Sequence, residues 1–467
     1  MDREHQKKLI ALFQAWSGES VTDLQALPPS GSYREYYRLI SDGEKRAIGT
    51  YNTDRKENIA FLTFSKHFQK NGCNVPAIFA EDLDSNLYLQ EDLGDTTLFS
   101  LLSATRSGQE YPEQITHFYE KVIDQLPYFQ VVAGKDLNYK VCYPRSIFDR
   151  QSMMWDLNYF KYYFLKLARI PFDEQLLEND FIALCDFLLD TEMIHFLYRD
   201  FQSRNIMIRN GEPWFIDYQG GRQGALQYDL ASLLYDAKAD MPREIRVQLL
   251  ERYIQKLRDI HPVDEQKFRE TYYGYVLIRI MQAMGSYGFR GYYERKTHFL
   301  KSIPYAIANL EWILENVKMP VKLPALYEVF EKLVKSDALK KIDQRENKLT
   351  VKVTSFSYKR GIPIDESGHG GGFVFDCRGL NNPGKVEELK NLNGKDEPVK
   401  AFLEKDPEVG QFLSSVYQLV GVTVEKYQQR EFTNLMVSFG CTGGQHRSVF
   451  CAEALSRYLL KKYNVNL

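Results

Sequence analysis

The stretch Tyr198–Gln219, YRDFQSRNIMIRNGEPWFIDYQ, decides the fold. Two apolar runs, NIMI and PWFID, flank Asn210-Gly211, a dipeptide that closes tight hairpins because both of its residues accept positive φ. Folding the chain about that pair returns Asn205 to the side of Asp217, within about one residue of register. An amide oxygen and a carboxylate then share one end of a hairpin. A second carboxylate, Asp200, stands on the loop leading in. Phosphoryl transfer from ATP needs this inventory: hard oxygen ligands for Mg²⁺ on the phosphates, and a carboxylate to take the proton of the attacking hydroxyl. Asp and Asn are ordinary turn and cap residues when met singly; the hairpin and its flanking strands set these three apart.

Working outward, residues 31–51 read as an earlier hairpin, with GSYREYYRLI and KRAIGTYN joined through an Asp-Gly turn. A helix from about Glu57 to Lys70 and a short strand in NLYLQEDLG follow. Apolar residues three and four apart predict helices from Pro112 to Leu197 and from Tyr228 to about Glu315. Trp155 and Asp156 fall on one of them, and a core Trp beside a solvated Asp is the plainer reading. The prolines of VKMPVKLP (317–324) interrupt the pattern. One amphipathic helix, LYEVFEKLVKSDALKKI, then leads to a charged joint, DQREN. Beyond it the order is strand LTVKVTSF, strand FVFDCRG, a helix near 399–419, strand TNLMVSFG and a closing helix, a small α/β unit. The domains expected are therefore 1–345 and 346–467.

Bulk properties agree with two globular domains. The chain has 467 residues, a net charge of −2 and 14% aromatic residues, enough for a core in each half. The balanced charge argues against a surface built wholly for nucleic acid. The opening MDREHQKKLIALF lacks the apolar centre of a signal peptide, and no apolar run is long enough to span a bilayer. The six cysteines form no CxxC pair, so reduced thiols in a cytoplasmic protein are expected.

YRDFQSRN…FID resembles the catalytic-loop and metal-loop pair of protein-kinase-like enzymes, in the form used by the aminoglycoside phosphotransferase family, over roughly residues 25–315. With WFIDYQ and YDLASLL, the wording is most similar to the anomeric N-acetylmuramate/N-acetylglucosamine kinases. The resemblance implies an α+β bilobal kinase-like domain, with Asp200 as catalytic base, Asn205 and Asp217 as Mg²⁺ ligands, and Asp229 as a carboxylate bracing the catalytic loop. It also implies that LYLQEDLGDTTL is the adenine-contacting hinge, acting through backbone groups around Gln90, Glu91 and Asp92, and that GSYREYY is the glycine-containing turn over the phosphates. The usual His two before the base is Tyr198. Where such kinases carry a phosphate-binding Lys on the third strand, KRAIGTYN offers Gly49 or Thr50, with Lys45 and Arg46 nearby. Either another cation, Arg34, serves, or the domain binds nucleotide without turnover.

The second informative segment is LMVSFGCTGGQHRSVFCAEALSRYL (435–459). A strand ends in a glycine-rich loop that opens a helix, an arrangement whose backbone N–H groups cradle anions. Gly443 and Gly444 allow close approach, Arg447 offers a two-pronged phosphate contact, and Ser448 sits where an N-cap belongs. With SFSYKRGIP, FVFDCRGLNNPG and LNGKDEPVKAFL, this region resembles the C-terminal domain of the bacterial RNase adapter protein RapZ. That resemblance implies a pocket for an amino-sugar phosphate or related ligand, with Thr442, Gly443 and Arg447 on the phosphate, Lys359 and Arg360 on the neighbouring loop, and Asp376 and Arg378 facing the same pocket. Cys441 and Arg447 also satisfy C-x5-R, the spacing of cysteine phosphatases, which stands as a rival. His446 is at least as well explained as a structural histidine. Basic residues Lys352, Lys385, Lys390 and Lys395 keep RNA as a third ligand class, although interleaved acids favour a solvated face. The reading is an ATP- and Mg²⁺-dependent kinase for a small molecule, an amino sugar, joined to a domain that binds a phosphorylated sugar or nucleotide sugar; the competing class is a regulatory binding protein.

Overall fold

The computed structural model describes residues 3–28, 34–106, 111–342, 349–365, 372–430 and 432–467. The chain divides into two compact units, residues 1–343 and 344–467. The joint DQREN and residues 31–33 of the glycine turn lie outside the described residues.

The first unit begins with helix Arg3–Ser17 and strands β1 (Val21–Ala26), β2 (Glu35–Ser41), β3 (Arg46–Tyr51), β4 (Ile78–Asp82) and β5 (Leu87–Gln90). They form one antiparallel sheet in the order β1-β2-β3-β5-β4. Period-two alternation gives it two different faces. Tyr37, Leu39, Ala47, Leu87 and Leu89 bury against Leu9 and Phe13 of the first helix. That helix packs so closely at Gly49 that a Cβ there would meet Leu9 at 2.7 Å and Leu39 at 2.8 Å. The opposite face carries Tyr36, Thr50 and Tyr88, in register across three strands. Helix Arg55–Lys70 follows β3, and Asp54 caps it by accepting from the N–H groups of Lys56 and Glu57.

The remainder of this unit is helical apart from two short hairpin-like pairs: β6 (His195–Leu197) with β9 (Arg222–Gly224), and β7 (Ile206–Arg209) with β8 (Glu212–Phe215). Helix Glu265–Gly288 runs through its centre, with Gly274–Met281 buried throughout, the signature of a helix surrounded on all sides. Sheet and helical lobe together make the α+β bilobal kinase-like fold. The amphipathic helix read from LYEVFEKLVKSDALKKI breaks into Pro324–Val334 and Asp337–Lys340, because Ser336 and Asp337 suit a helix start better than an interior.

The second unit holds β10 (Thr350–Ser357), β11 (Gly372–Asp376) and β12 (Asn434–Cys441) in a parallel sheet ordered β10-β12-β11. The helix expected near 399–419 is two, Glu397–Glu404 and Pro407–Gln429. Asp406 caps the second, and Pro407, which has no N–H, ends the first. Helix Arg447–Lys462 closes the unit. No helix among the described residues is long and apolar enough to cross a membrane.

Candidate active site

The β7–β8 hairpin turns at Asn210 (φ +52°) and Gly211 (φ +77°), the paired positive φ values of a tight hairpin turn. Its register pairs Ile206 with Phe215, and the Ile216 N–H donates to Asn205 O at 3.1 Å. Asn205 thus stands one residue from Asp217. The Asn205 amide nitrogen donates to Asp200 O at 2.8 Å and to Asp217 Oδ2 at 3.3 Å, leaving its carbonyl oxygen as the donor atom it would offer a cation. Asp217 itself takes a positive φ of +69°, a conformation Asp tolerates better than most residues.

The sheet lobe delivers a cation to this cluster. Arg34, immediately before β2, shares a face with Tyr36. Its Nη2 lies 2.7 Å from Glu57 Oε1 and its Nη1 lies 3.4 Å from Asp217 Oδ1, with only 2% of the side chain exposed. Burial alone would weaken its hold on the proton, but Tyr88, Tyr36, Asp217 and Glu57 outweigh that and keep it cationic. Asn52 Nδ2 donates to Glu57 Oε2 at 2.9 Å and fixes the partner. Thr50, opposite Tyr36 on β3, leaves room where a longer side chain would compete. Lys45 lies at the outer end of the sheet, its Nζ on Ser17 O at 2.6 Å.

Asp217 keeps 39% of its side-chain surface, so its carboxylate remains accessible. Desolvation by the surrounding protein raises its carboxyl above the ordinary aspartate value, Arg34 opposes the rise, and Asp200 adds to it. A carboxylate raised by burial and by a neighbouring acid is suited to a divalent cation, which offsets the negative charge. Gln219 Nε2 donates to Asp217 Oδ1 at 2.6 Å, while its Oε1 is buried with no hydrogen-bond partner among the described residues. The oxygen-only donor set fits a hard cation such as Mg²⁺.

The catalytic loop hangs from Asp229. This fully buried carboxylate accepts from Tyr198 N at 2.8 Å, Arg199 N at 3.1 Å and Gln130 Nε2 at 2.9 Å, the bracing role that the resemblance implies. Burial pushes its carboxyl up to about 7 against those bonds. Tyr198, in place of His, donates through its hydroxyl to Ile216 O and ties the loop to the metal-side strand.

The hinge residues divide. The Glu91 N–H donates to Ala77 O at 2.8 Å, so this backbone donor is committed to the sheet. The Glu91 carboxylate pairs with Arg209, and Asp92 pairs with Arg38 at 2.7 Å. Gln90 shares the inner face with Tyr88, and its side-chain Oε1 is buried without a partner among the described residues.

Several residues at the site escaped the sequence reading. Glu57 was signalled only by its place in the first turn of a helix capped by Asp54. The reading of Trp155 and Asp156 is reversed: Trp155 is 46% exposed, and Asp156 is buried. Asp156 forms a two-pronged pair with Arg199 at 2.7 and 2.5 Å, and Arg199 lies over Phe148 and Tyr228. A largely buried arginine beside Asp200 needs a buried counter-charge, and the i, i+3 apolar pattern does not show which face the acid takes.

In the second unit, the ends of all three strands gather the candidate residues at the carboxyl edge of a parallel sheet, where such sheets bind ligands. Ser357 Oγ donates to Thr442 O at 2.7 Å, joining the Lys359–Arg360 loop to the glycine loop. Lys359, Arg360, Thr442 and Gly443 are exposed. Gly444 has φ +70°, and a Cβ there would lie 2.9 Å from Ser357 N. Arg378 pairs with Asp376 at 2.7 Å and stacks on Tyr358 at 3.9 Å. Arg447 is buried, and its Nη1 donates to the carbonyls of Arg378 and Leu380 at 2.9 and 2.8 Å. That nitrogen holds the β11 loop, while Nε is buried with no hydrogen-bond partner among the described residues. Ser448 is not the N-cap. It lies inside the helix, with Oγ 3.1 Å from Cys441 Sγ. Burial pushes the Cys441 thiol up, but Ser448 and the N–H groups of Gly444 and Gln445 bring it below the ordinary value. His446 sits 3.0 Å from Leu389 O in a structural bond.

Comparison with known proteins agrees with both units. Residues 349–467 match the RapZ C-terminal domain. A nucleotide-binding protein of Fervidobacterium nodosum is 39% identical over 126 residues, 27% of this chain and 43% of that protein. One of Acidithiobacillus ferrooxidans is 43% identical over 111 residues, 24% and 36% respectively. The chain thus spans less than half the length of these curated relatives. Among solved structures, a choline kinase from Cryptosporidium parvum has a TM-score of 0.46 at 12% identity, covering 70% of this chain and 99% of that one. An ethanolamine kinase from Plasmodium vivax has a TM-score of 0.44 at 11% identity, covering 62% and 81%. Residues 25–269, more than half of the chain, match the phosphotransferase enzyme family, and the chain belongs to that family.

Proposed function

We propose that the first unit transfers the γ-phosphoryl group of ATP to a hydroxyl of a small molecule, an amino sugar, and that the second binds a phosphorylated sugar or nucleotide sugar. The observation that carries the reading is the meeting of Asn205, Asp217 and Arg34 below the loop that bears Asp200. In this reading Asp200 accepts the proton of the attacking hydroxyl, and Asn205 and Asp217 hold Mg²⁺. When bound, Mg²⁺ offsets the charge of the phosphates. Arg34, held by Glu57, contributes the positive charge that a third-strand Lys supplies elsewhere. The buried, unpartnered Gln90 Oε1 suits the exocyclic amine of adenine, so the hinge contact falls to Gln90 and to backbone groups other than the Glu91 N–H. At the second site Thr442, Gly443 and Gly444 cradle the phosphate, with Lys359, Arg360, Asp376 and Arg378 around it. The amino-sugar class rests on two separate resemblances, one per domain.

ATP consumption measured over a panel of amino sugars, neutral sugars and non-sugar alcohols, for the wild type and Asp200→Asn, tests this. Turnover with an amino sugar that falls by about 10²–10⁴-fold in the variant is expected. Nucleotide binding without turnover, or turnover indifferent to the substitution, would establish the regulatory binding protein instead.

A further inference from the structure

Glu192, His195 and His261 converge on one point away from the phosphotransfer cluster. His195 Nε2 lies 2.9 Å from Glu192 Oε2, and His261 Nε2 lies 3.0 Å from the same oxygen. All three candidate ligand atoms fall within 4.8 Å of one another. The two imidazoles meet nearly at right angles, 81° with centroids 4.8 Å apart, so that both ring nitrogens address a common centre from different directions. The residues come from distant parts of the chain. Glu192 and His195 lead into and begin β6, whose end opens directly into Tyr198–Asp200, and His261 follows helix Arg243–Arg258.

We propose that Glu192, His195 and His261 form a Zn²⁺-class transition-metal site that staples the start of β6 to the segment between helices Arg243–Arg258 and Glu265–Gly288.

Two imidazoles and a carboxylate are a recurrent zinc set, and three protein ligands leave a fourth position for water. Bonds of about 2.0–2.1 Å in tetrahedral array place ligand atoms roughly 3.3 Å apart. The N···O separations of 2.9 and 3.0 Å therefore need to open by a few tenths of an ångström, and the two imidazole nitrogens, within 4.8 Å of each other, need to close by up to about 1.5 Å. Imidazole nitrogen selects zinc, copper or nickel over magnesium, so a magnesium-dependent reaction elsewhere on the chain leaves the site to its own metal. His195 is buried, whereas His261 is partly exposed, giving an entry side.

The test uses tag-free, full-length protein stripped with a chelator and titrated with Zn²⁺ against a chromophoric competitor in excess Mg²⁺, with Co²⁺ absorption as a second readout. One tight equivalent per chain, and the intense visible bands of tetrahedral cobalt, are expected. His261→Gln and Glu192→Gln remove ligands from the partly exposed side and should keep the fold. Each is expected to weaken Zn²⁺ binding by more than about 100-fold, and Zn²⁺ should raise the Tm of the wild type but not of the variants. His117→Gln, at a histidine with a 63% exposed side chain, should change nothing. Weak binding shared equally by wild type and variants, or an octahedral cobalt spectrum, would overturn the proposal. The readouts are metal content and spectrum, so the result is independent of whether the chain phosphorylates a sugar.

Discussion

Arg34 and Glu57 meet at 2.7 Å across the inner face of the sheet lobe, with the arginine side chain 2% exposed. The pair joins the residue before β2 to the first turn of helix Arg55–Lys70, and the arginine's other nitrogen extends to Asp217 at 3.4 Å. One planar guanidinium thus links the sheet lobe, the helix and the β7–β8 hairpin, a geometry that an ammonium cannot reproduce.

Arg34→Ala is expected to lower kcat/KM for ATP by about 10²–10³-fold, the scale of losing one electrostatic donor. Arg34→Lys should recover only part of this, because it keeps the charge and loses the two-sided contact. Steady-state kinetics with Glu57→Gln as the second arm of a double-mutant cycle measures the coupling. Additive effects would show that the two side chains act separately.

Asp229 predicts a pH dependence. Its folded carboxyl, pushed up to about 7 by burial, lies above the unfolded value of roughly 3.9. Between those values the folded protein holds a proton that the unfolded chain has released. The group's relative stabilisation is therefore full below about pH 3.9 and is lost as pH rises through about 7, by at most about 4 kcal/mol. Asp229→Asn cannot titrate. The Tm of the wild type should fall relative to that of the variant as pH rises from about 5 to 8, and parallel profiles would contradict this.

Asp156→Asn leaves Arg199 buried without its counter-charge and is expected to destabilise the protein by about 3–5 kcal/mol. Trp155→Ala, one residue away, removes an exposed ring that lies 5.7 Å from Arg145 and should cost about 1 kcal/mol or less. Thermal unfolding of the two variants compares neighbours that sequence alone would rank in the opposite order.

In the second unit, Gly444→Ala forces a Cβ at φ +70° against Ser357 N at 2.9 Å. A cost of about 1–2 kcal/mol from the backbone alone, with loss of phosphate-ligand binding by calorimetry, is expected. Cys441→Ser should leave that binding in place. Neither wild type nor variant should release phosphate from an aryl phosphate, because Arg447 Nη1 is committed to two carbonyls and Cys441 is only 3% exposed.

The sequence by itself determined what local chemistry dictates. Asn210-Gly211 set the hairpin turn and therefore the nearness of Asn205 and Asp217, since register follows from the turn. The Asp-Gly turn between GSYREYYRLI and KRAIGTYN likewise set the first hairpin. The glycine loop 442–444 announced an anion cradle through its composition. Breaks at Ser336 and at Asp406-Pro407 were also readable as caps, although periodicity alone ran through them. Tertiary structure decided what depends on groups far apart in the chain. Arg34 takes the place of a third-strand lysine, because Glu57 on helix Arg55–Lys70 lies within reach to anchor it. Asp156 is buried because its carboxylate forms a two-pronged pair with the largely buried Arg199. Arg447 serves the β11 loop because the carbonyls of Arg378 and Leu380 lie within reach. Buried charges choose partners by distance in space, and no spacing along the chain encodes that distance.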